Sequence, residues 1–211
     1  MDILEPPIQT DHPPHRGKDK NRSLSPGRIF LRISLFLLVF SVFFHVPNHL
    51  SGIQNRESTI LEILEVLEMR PTDLARVARE DLAETIYEEA RRYNCDPKFI
   101  LALIEIESSF CNWAVSDKGA KGLMQIMPYV AKPVAEKLGI EWMGDRTLFN
   151  PYLNVRIGIH YLSELLDDFQ DLGTALTAYN YGPTYVRSLL DRKEKIPLNY
   201  YRRVLSVYRN L

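Results

Sequence analysis

The sequence predicts a mainly α-helical protein on three observations. No glycine occurs between Gly52 and Gly119, apolar residues keep a 3.6-residue period over long stretches, and alternating runs of the strand type are few. Between Ser58 and Arg70, Ile60, Ile63, Leu64 and Leu67 follow the i, i+3, i+4, i+7 spacing. Thr59 and Glu62 are placed as a capping box and Pro71 ends the segment, which reads as a short amphipathic stalk or docking helix, or equally as one that packs on the rest of the chain. A second pattern runs from Thr72, a candidate N-cap, to Tyr93 through Leu74, Leu82, Ile86 and Ala90. Further helices are expected over Lys98 to Phe110, Val130 to Leu138, Pro151 to Phe169, Leu172 to Tyr179, Thr184 to Leu190 and Tyr200 to Tyr208. Loops fall where the period breaks, at Asp96-Pro97, Asp117 to Gly122, Gly139, Gly144, Asn150-Pro151 and Gly182-Pro183.

The first quarter of the chain differs from the rest. Residues 1–28 are polar and carry Pro6, Pro7, Pro13, Pro14 and Pro26, so they are expected to be a disordered basic tail. Ile29 to Val46 is an apolar run with Arg32 as its only permanently charged residue, and at about 1.5 Å per residue it reaches roughly 27 Å, marginally enough for one span with snorkelling flanks. The following His45-Val46-Pro47-Asn48 lacks a small-x-small cleavage pattern, which favours an uncleaved anchor over a signal peptide. Arg16, Lys18, Lys20, Arg22 and Arg28 then put the tail in the cytoplasm and everything after Pro47 outside it, which in a bacterium is the periplasm. The organisation expected is a tail over 1–28, a signal anchor over 29–46, a linker and stalk over 47–71 and a globular domain over 72–211.

Composition removes several classes of function. The 211 residues carry Lys+Arg 26 and Asp+Glu 27, a net charge of −1, so no nucleic-acid partner is expected. Only Cys95 and Cys111 occur, too few for a disulfide scaffold or a cysteine zinc site. They flank a predicted helix of about 18 Å, while a disulfide needs Cα atoms within about 7 Å, so two free thiols are expected. His160 stands alone outside the first quarter, and no GxxxxGK[ST], GxGxxG or GxSxG occurs. No metal and no cofactor are expected, and chemistry falls to carboxylates.

Glu105 and Glu107 stand out on that ground. Two residues apart on one helix, they point about 200° away from each other. Glu107 falls on the stripe of Ile100, Leu103, Ile104 and Phe110, whereas Glu105 neighbours Leu101, Ala102, Ser108 and Ser109; either is a candidate for the buried one, with the stripe favouring Glu107. A carboxyl in apolar surroundings keeps its proton to higher pH, the state a general acid needs. Its alternative is a structural ion pair.

Downstream motifs weigh the choice. Glu107-Ser108-Ser109-Phe110, Gly122-Leu123-Met124-Gln125-Ile126-Met127-Pro128, Asn150-Pro151 with Asn154, Gly158 and Tyr161, and Ala178-Tyr179-Asn180-Tyr181-Gly182-Pro183 resemble the soluble lytic transglycosylase catalytic domain in order and spacing. The resemblance covers roughly Leu82 to Tyr208, including the closing Tyr200-Tyr201-Arg202-Arg203-Val204. It implies a mainly α, lysozyme-like transglycosylase domain, here set behind an N-terminal membrane anchor and a short amphipathic helix. It also implies non-hydrolytic cleavage of the β-1,4 bond between N-acetylmuramic acid and N-acetylglucosamine in peptidoglycan, leaving a 1,6-anhydro end. Glu107 matches the family's catalytic acid/base, and Ser116, Gln125, Met127, Tyr179 and Asn180 match its substrate-binding cleft residues. Tyr179 is expected to bond Glu107, and Gln125 to bind sugar rather than merely satisfy its own loop.

Ordinary glycosidases need a second carboxylate. The matched motifs hold none, and Asp117, Glu141 and Asp145 stay open as partners for a hydrolytic muramidase. A non-catalytic peptidoglycan-binding or scaffold module is a further alternative. The partners expected are glycan strands of peptidoglycan and the inner membrane through the anchor, with the Ile60 to Leu67 helix open to a protein of a cell-wall or secretion complex.

Overall fold

The computed structural model describes residues 55–211, and they form a helical body without named strands. The expected tail, the apolar run of Ile29 to Val46 and the start of the linker lie outside the described residues. Among those described, no helix is long and apolar enough to cross a membrane.

Helix α1 spans residues 55–69 and belongs to the body: Ile63 and Leu67 are buried in the main core. Its start lies earlier than the capping box predicts. Thr59 and Ser58 sit inside the first turn, where both hydroxyls donate to the Asn55 carbonyl. Arg56 pairs with Glu88 at 3.0 Å and Arg70 with Glu105 at 3.3 Å, pinning the two ends of α1 to the helices beside it.

Helix α2 is Arg76–Arg92, four residues shorter at its start than expected. Thr72 does not cap it; its hydroxyl closes a local turn by accepting from the Leu74 amide. Helix α3, Pro97–Ser108, is capped by Asp96, whose side chain accepts from the Lys98 amide, and begins with proline at its first position. Ile100 through Ile104 are all buried, so this helix is enclosed on every side. It ends at Ser109 in the left-handed conformation. Cys95 and Cys111, one at each end of α3, are free thiols.

Helices α4 (Pro128–Lys137), α5 (Asp145–Phe149) and α6 (Pro151–Phe169) follow. Five residues are too few to show a helical period, which is why α5 has no counterpart among the expected elements. Asn150 caps α6 by accepting from the Tyr152 and Leu153 amides. Helices α7 (Leu172–Tyr181), α8 (Pro183–Asp191) and α9 (Asn199–Asn210) complete the chain. The core forms where α6 packs on α2, α4, α5 and α7, and α3 on α2 and α9. Between α3 and α4 the chain makes a tight loop with isolated antiparallel bridges, Val115 to Lys121 and Lys121 to Ile126.

Candidate active site

Three helix side chains hold that loop in place, and a fourth, from the loop itself, braces it internally. Asn154 on α6 is fully buried; its Oδ1 accepts from the Met124 amide at 2.8 Å, and its Nδ2 donates to the carbonyls of Lys121 and Leu148. Ser108 on α3 donates to the Leu123 carbonyl at 2.8 Å, and the Tyr179 hydroxyl on α7 donates to the Met124 carbonyl at 2.8 Å. Gln125, at φ 50, donates from Nε2 to the carbonyls of Ala114 and Gly122. Gly122 lies at φ 79, and a Cβ there would collide with the Asn154 amide and the Leu148 carbonyl; only glycine fits.

The loop forms one wall of a cleft of about 750 Å³ lined by Glu107, Ser116, Gln125, Met127, Tyr179 and Asn180 together. Tyr129, Tyr161, Tyr181 and Tyr185 extend its aromatic walls along α4, α6, α7 and α8. Glu107 belongs to the last turn of α3. Burial raises its carboxyl from the ordinary 4.5 to about 7, against the opposing influence of the Tyr200 hydroxyl and of Arg203. The negative end of the α3 dipole disfavours the ion further. A carboxyl so placed is close to half protonated at neutral pH and able to give and take a proton. Glu105, by contrast, faces Arg70 in an ion pair.

One expected contact differs. The Tyr179 hydroxyl bonds the Met124 carbonyl, and the hydroxyl that bonds Glu107 Oε1 belongs to Tyr200 on α9. The reason is packing: α9 lies along α3 and buries Tyr200 and Val204 as one face, which brings Tyr200 to the end of α3. Burial and the neighbouring Glu107 carboxylate both push the Tyr200 hydroxyl well above its ordinary pKa, so it stays a donor. The Gln125 amide nitrogen is committed to its own loop, and its Oε1 has no partner among the described residues. Ser116 accepts from the Ala120 amide and keeps its proton to donate.

Asp117, Glu141 and Asp145 do not line the cleft, and Asp145 pairs with Lys121 at 2.6 Å. The second carboxylate that does is Glu164, held by Lys137 at 2.5 Å.

Comparison with known proteins identifies a family. The family described as "Transglycosylase SLT domain" matches residues 84–199. The chain belongs to this family. A protein named membrane-bound lytic murein transglycosylase C in Actinobacillus pleuropneumoniae is 38% identical over 94 residues, covering 44% of this chain and 26% of that protein. A transglycosylase of Enterobacteria phage PRD1 is 36% identical over 99 residues, covering 47% of this chain and 34% of its own. The 70 kDa soluble lytic transglycosylase of Escherichia coli superposes with a TM-score of 0.50 at 25% identity, covering 64% of this chain and 26% of that one. The chain thus spans about a quarter to a third of the length of these proteins.

Tyr200 lies one residue past the stretch matched to the family. The signal that could have found it is the Tyr200 and Val204 pair, spaced i, i+4 on a helix otherwise rich in arginine, which marks the buried face.

Proposed function

We propose that this protein is a membrane-anchored peptidoglycan lytic transglycosylase with Glu107 as its acid and base. The observation that carries the reading is a cleft in which one buried carboxyl sits near pKa 7 while the other lining carboxylate is neutralised by a lysine. In this reading the Glu107 proton goes to the glycosidic oxygen as the bond to the muramic anomeric carbon breaks. The muramic C6 hydroxyl then attacks that carbon, and its proton passes to the Glu107 carboxylate, which restores the acid and closes a 1,6-anhydro ring. Tyr200 donates to the carboxylate and Arg203 favours it electrostatically, so both stabilise the ionised state between the two transfers. Ser116, the Gln125 oxygen, Met127, Tyr179 and Asn180 would bind the flanking sugars.

The names of the relatives support membrane association, and the apolar run of Ile29 to Val46 supports a single-pass anchor in the bacterial inner membrane with the cleft on the periplasmic side. Mass spectrometry of purified peptidoglycan digested with the protein, with Glu107→Gln in parallel, tests the reading. Anhydro-ended products from the parent alone are expected. Reducing ends would favour a hydrolytic muramidase using Glu164, and no products at all would favour a binding module.

A further inference from the structure

The loop that walls the cleft also carries an aromatic platform outside it. Trp113 is 61% exposed and Val115 56%, whereas Ala114 and Ser116, which alternate with them, are half-buried, and Ser116 lines the cleft. The alternation follows the bridged, extended backbone of this stretch. The indole rests against Phe149, with ring centroids 5.3 Å apart at 41°. Buried Asn112 donates from Nδ2 to the Phe149 carbonyl at 2.9 Å, and the Ala114 carbonyl accepts from the Gly122 amide at 3.0 Å. The residues on both sides of Trp113 are thus tied down, and its exposure is built in. Asp145 and Phe149 lie one turn apart on α5. Lys121 joins them, its Nζ 6.0 Å from the Phe149 ring centroid and 2.6 Å from Asp145 Oδ2, and the Asp145 side chain stays 60% exposed. A rigid aromatic surface is therefore edged by a carboxylate and an ammonium.

That composition matches a pyranose ring. A β-1,4-linked N-acetylated sugar has a flat face of C–H bonds, which the negative face of an aromatic ring attracts. Its rim carries hydroxyls and amides, which a carboxylate accepts from and an ammonium donates to. A lipid interface also takes exposed tryptophan, but there the Asp145 carboxylate would lose water and gain no donor, whereas a sugar supplies hydroxyls. We propose that Trp113, Phe149 and Asp145 form a second glycan-binding site, outside the cleft, that holds the sugar strands of peptidoglycan while the cleft cuts. Because the site takes the same polymer as the cleft, the choice of sugar rests on the transglycosylase reading above.

The test uses the full chain in detergent carrying Trp142→Phe, which leaves Trp113 as the sole tryptophan, and Glu107→Gln, which keeps the glycan uncut. Soluble peptidoglycan strands freed of their peptides are expected to shield Trp113 from acrylamide quenching, and Asp145→Ala to weaken that binding roughly three- to tenfold. In the chain with Glu107 intact, Trp113→Ala is expected to lower cleavage of long strands at limiting concentration roughly three- to tenfold, with turnover of oligosaccharides short enough to fill the cleft alone unchanged. Trp113→Tyr, which keeps an aromatic face, is expected to restore most of the loss, and Trp113→Leu, which keeps only apolar bulk, is not. Quenching untouched by saturating glycan, or long strands cleaved equally by Trp113→Ala and parent, would overturn the proposal. A blue shift of Trp113 in phosphatidylcholine vesicles without shielding by glycan would overturn it too, by making the platform a membrane contact. Shielding by glycan in a protein whose parent releases no anhydro-ended product would support the site and fail the transglycosylase reading alone.

Discussion

Replacing Glu107 by glutamine should make the protein more stable, and the gain should depend on pH. Burial disfavours the ionised carboxyl, raising its pKa from 4.5 unfolded to about 7 folded. A group raised in this way loses stability as pH rises between those two values, because the unfolded chain ionises freely while the folded one resists. The difference, 7 − 4.5, is about 2.5 units at about 1.36 kcal/mol each, or roughly 3 kcal/mol above pH 7 and nothing below about pH 4. Glutamine keeps the shape and still accepts from Tyr200, so it removes the charge alone. For a chain of this size the gain amounts to roughly 6 to 12 °C in Tm. Urea unfolding of the full chain in detergent, followed by Trp113 and Trp142 fluorescence at pH 4, 6 and 8, reads it out. A difference between variant and parent that stays flat with pH, or a parent more stable at pH 8, would refute a buried, proton-holding Glu107.

Other substitutions separate neighbouring roles. Tyr200→Phe removes a donor that favours the Glu107 carboxylate, so the high-pH fall of kcat/KM should move to higher pH, whereas Tyr179→Phe should leave that limb in place and lower stability by about 1–3 kcal/mol through the orphaned Met124 carbonyl. A limb that moves in Tyr179→Phe and not in Tyr200→Phe would reverse the assignment. Asn154→Ala strips three buried hydrogen bonds and should cost about 3 kcal/mol or more in denaturant unfolding; a loss under 1 kcal/mol would show that the loop is held some other way. Gly122→Ala combines a left-handed backbone with a collision and should destabilise by about 2–4 kcal/mol, measured as a drop in urea midpoint.

Most helices were legible because each buries a face at the helical period, and Asp96-Pro97 and Asn150-Pro151 mark their starts as cap and first residue. Local side-chain chemistry erased the boundaries that were misread: Thr59 and Thr72 look like caps in sequence, yet one bonds back within α1 and the other closes a turn. The cleft residues were legible as a motif, but their partners were not. The Tyr179 hydroxyl and the Gln125 amide nitrogen brace the loop that shapes the cleft, and which tyrosine reaches Glu107 depends on how α9 crosses α3, a contact between residues 93 apart in sequence. The pair of Lys137 and Glu164 in the cleft is likewise a product of packing, since α4 and α6 carry no pattern that pairs them.

Digestion of peptidoglycan in water labelled with heavy oxygen tests the central claim most directly. If Glu107 drives attack by the substrate's own C6 hydroxyl, the muramic ends released will be anhydro and free of label, and Glu107→Gln will release none above background. Labelled reducing ends would contradict the account, because they require water as the nucleophile.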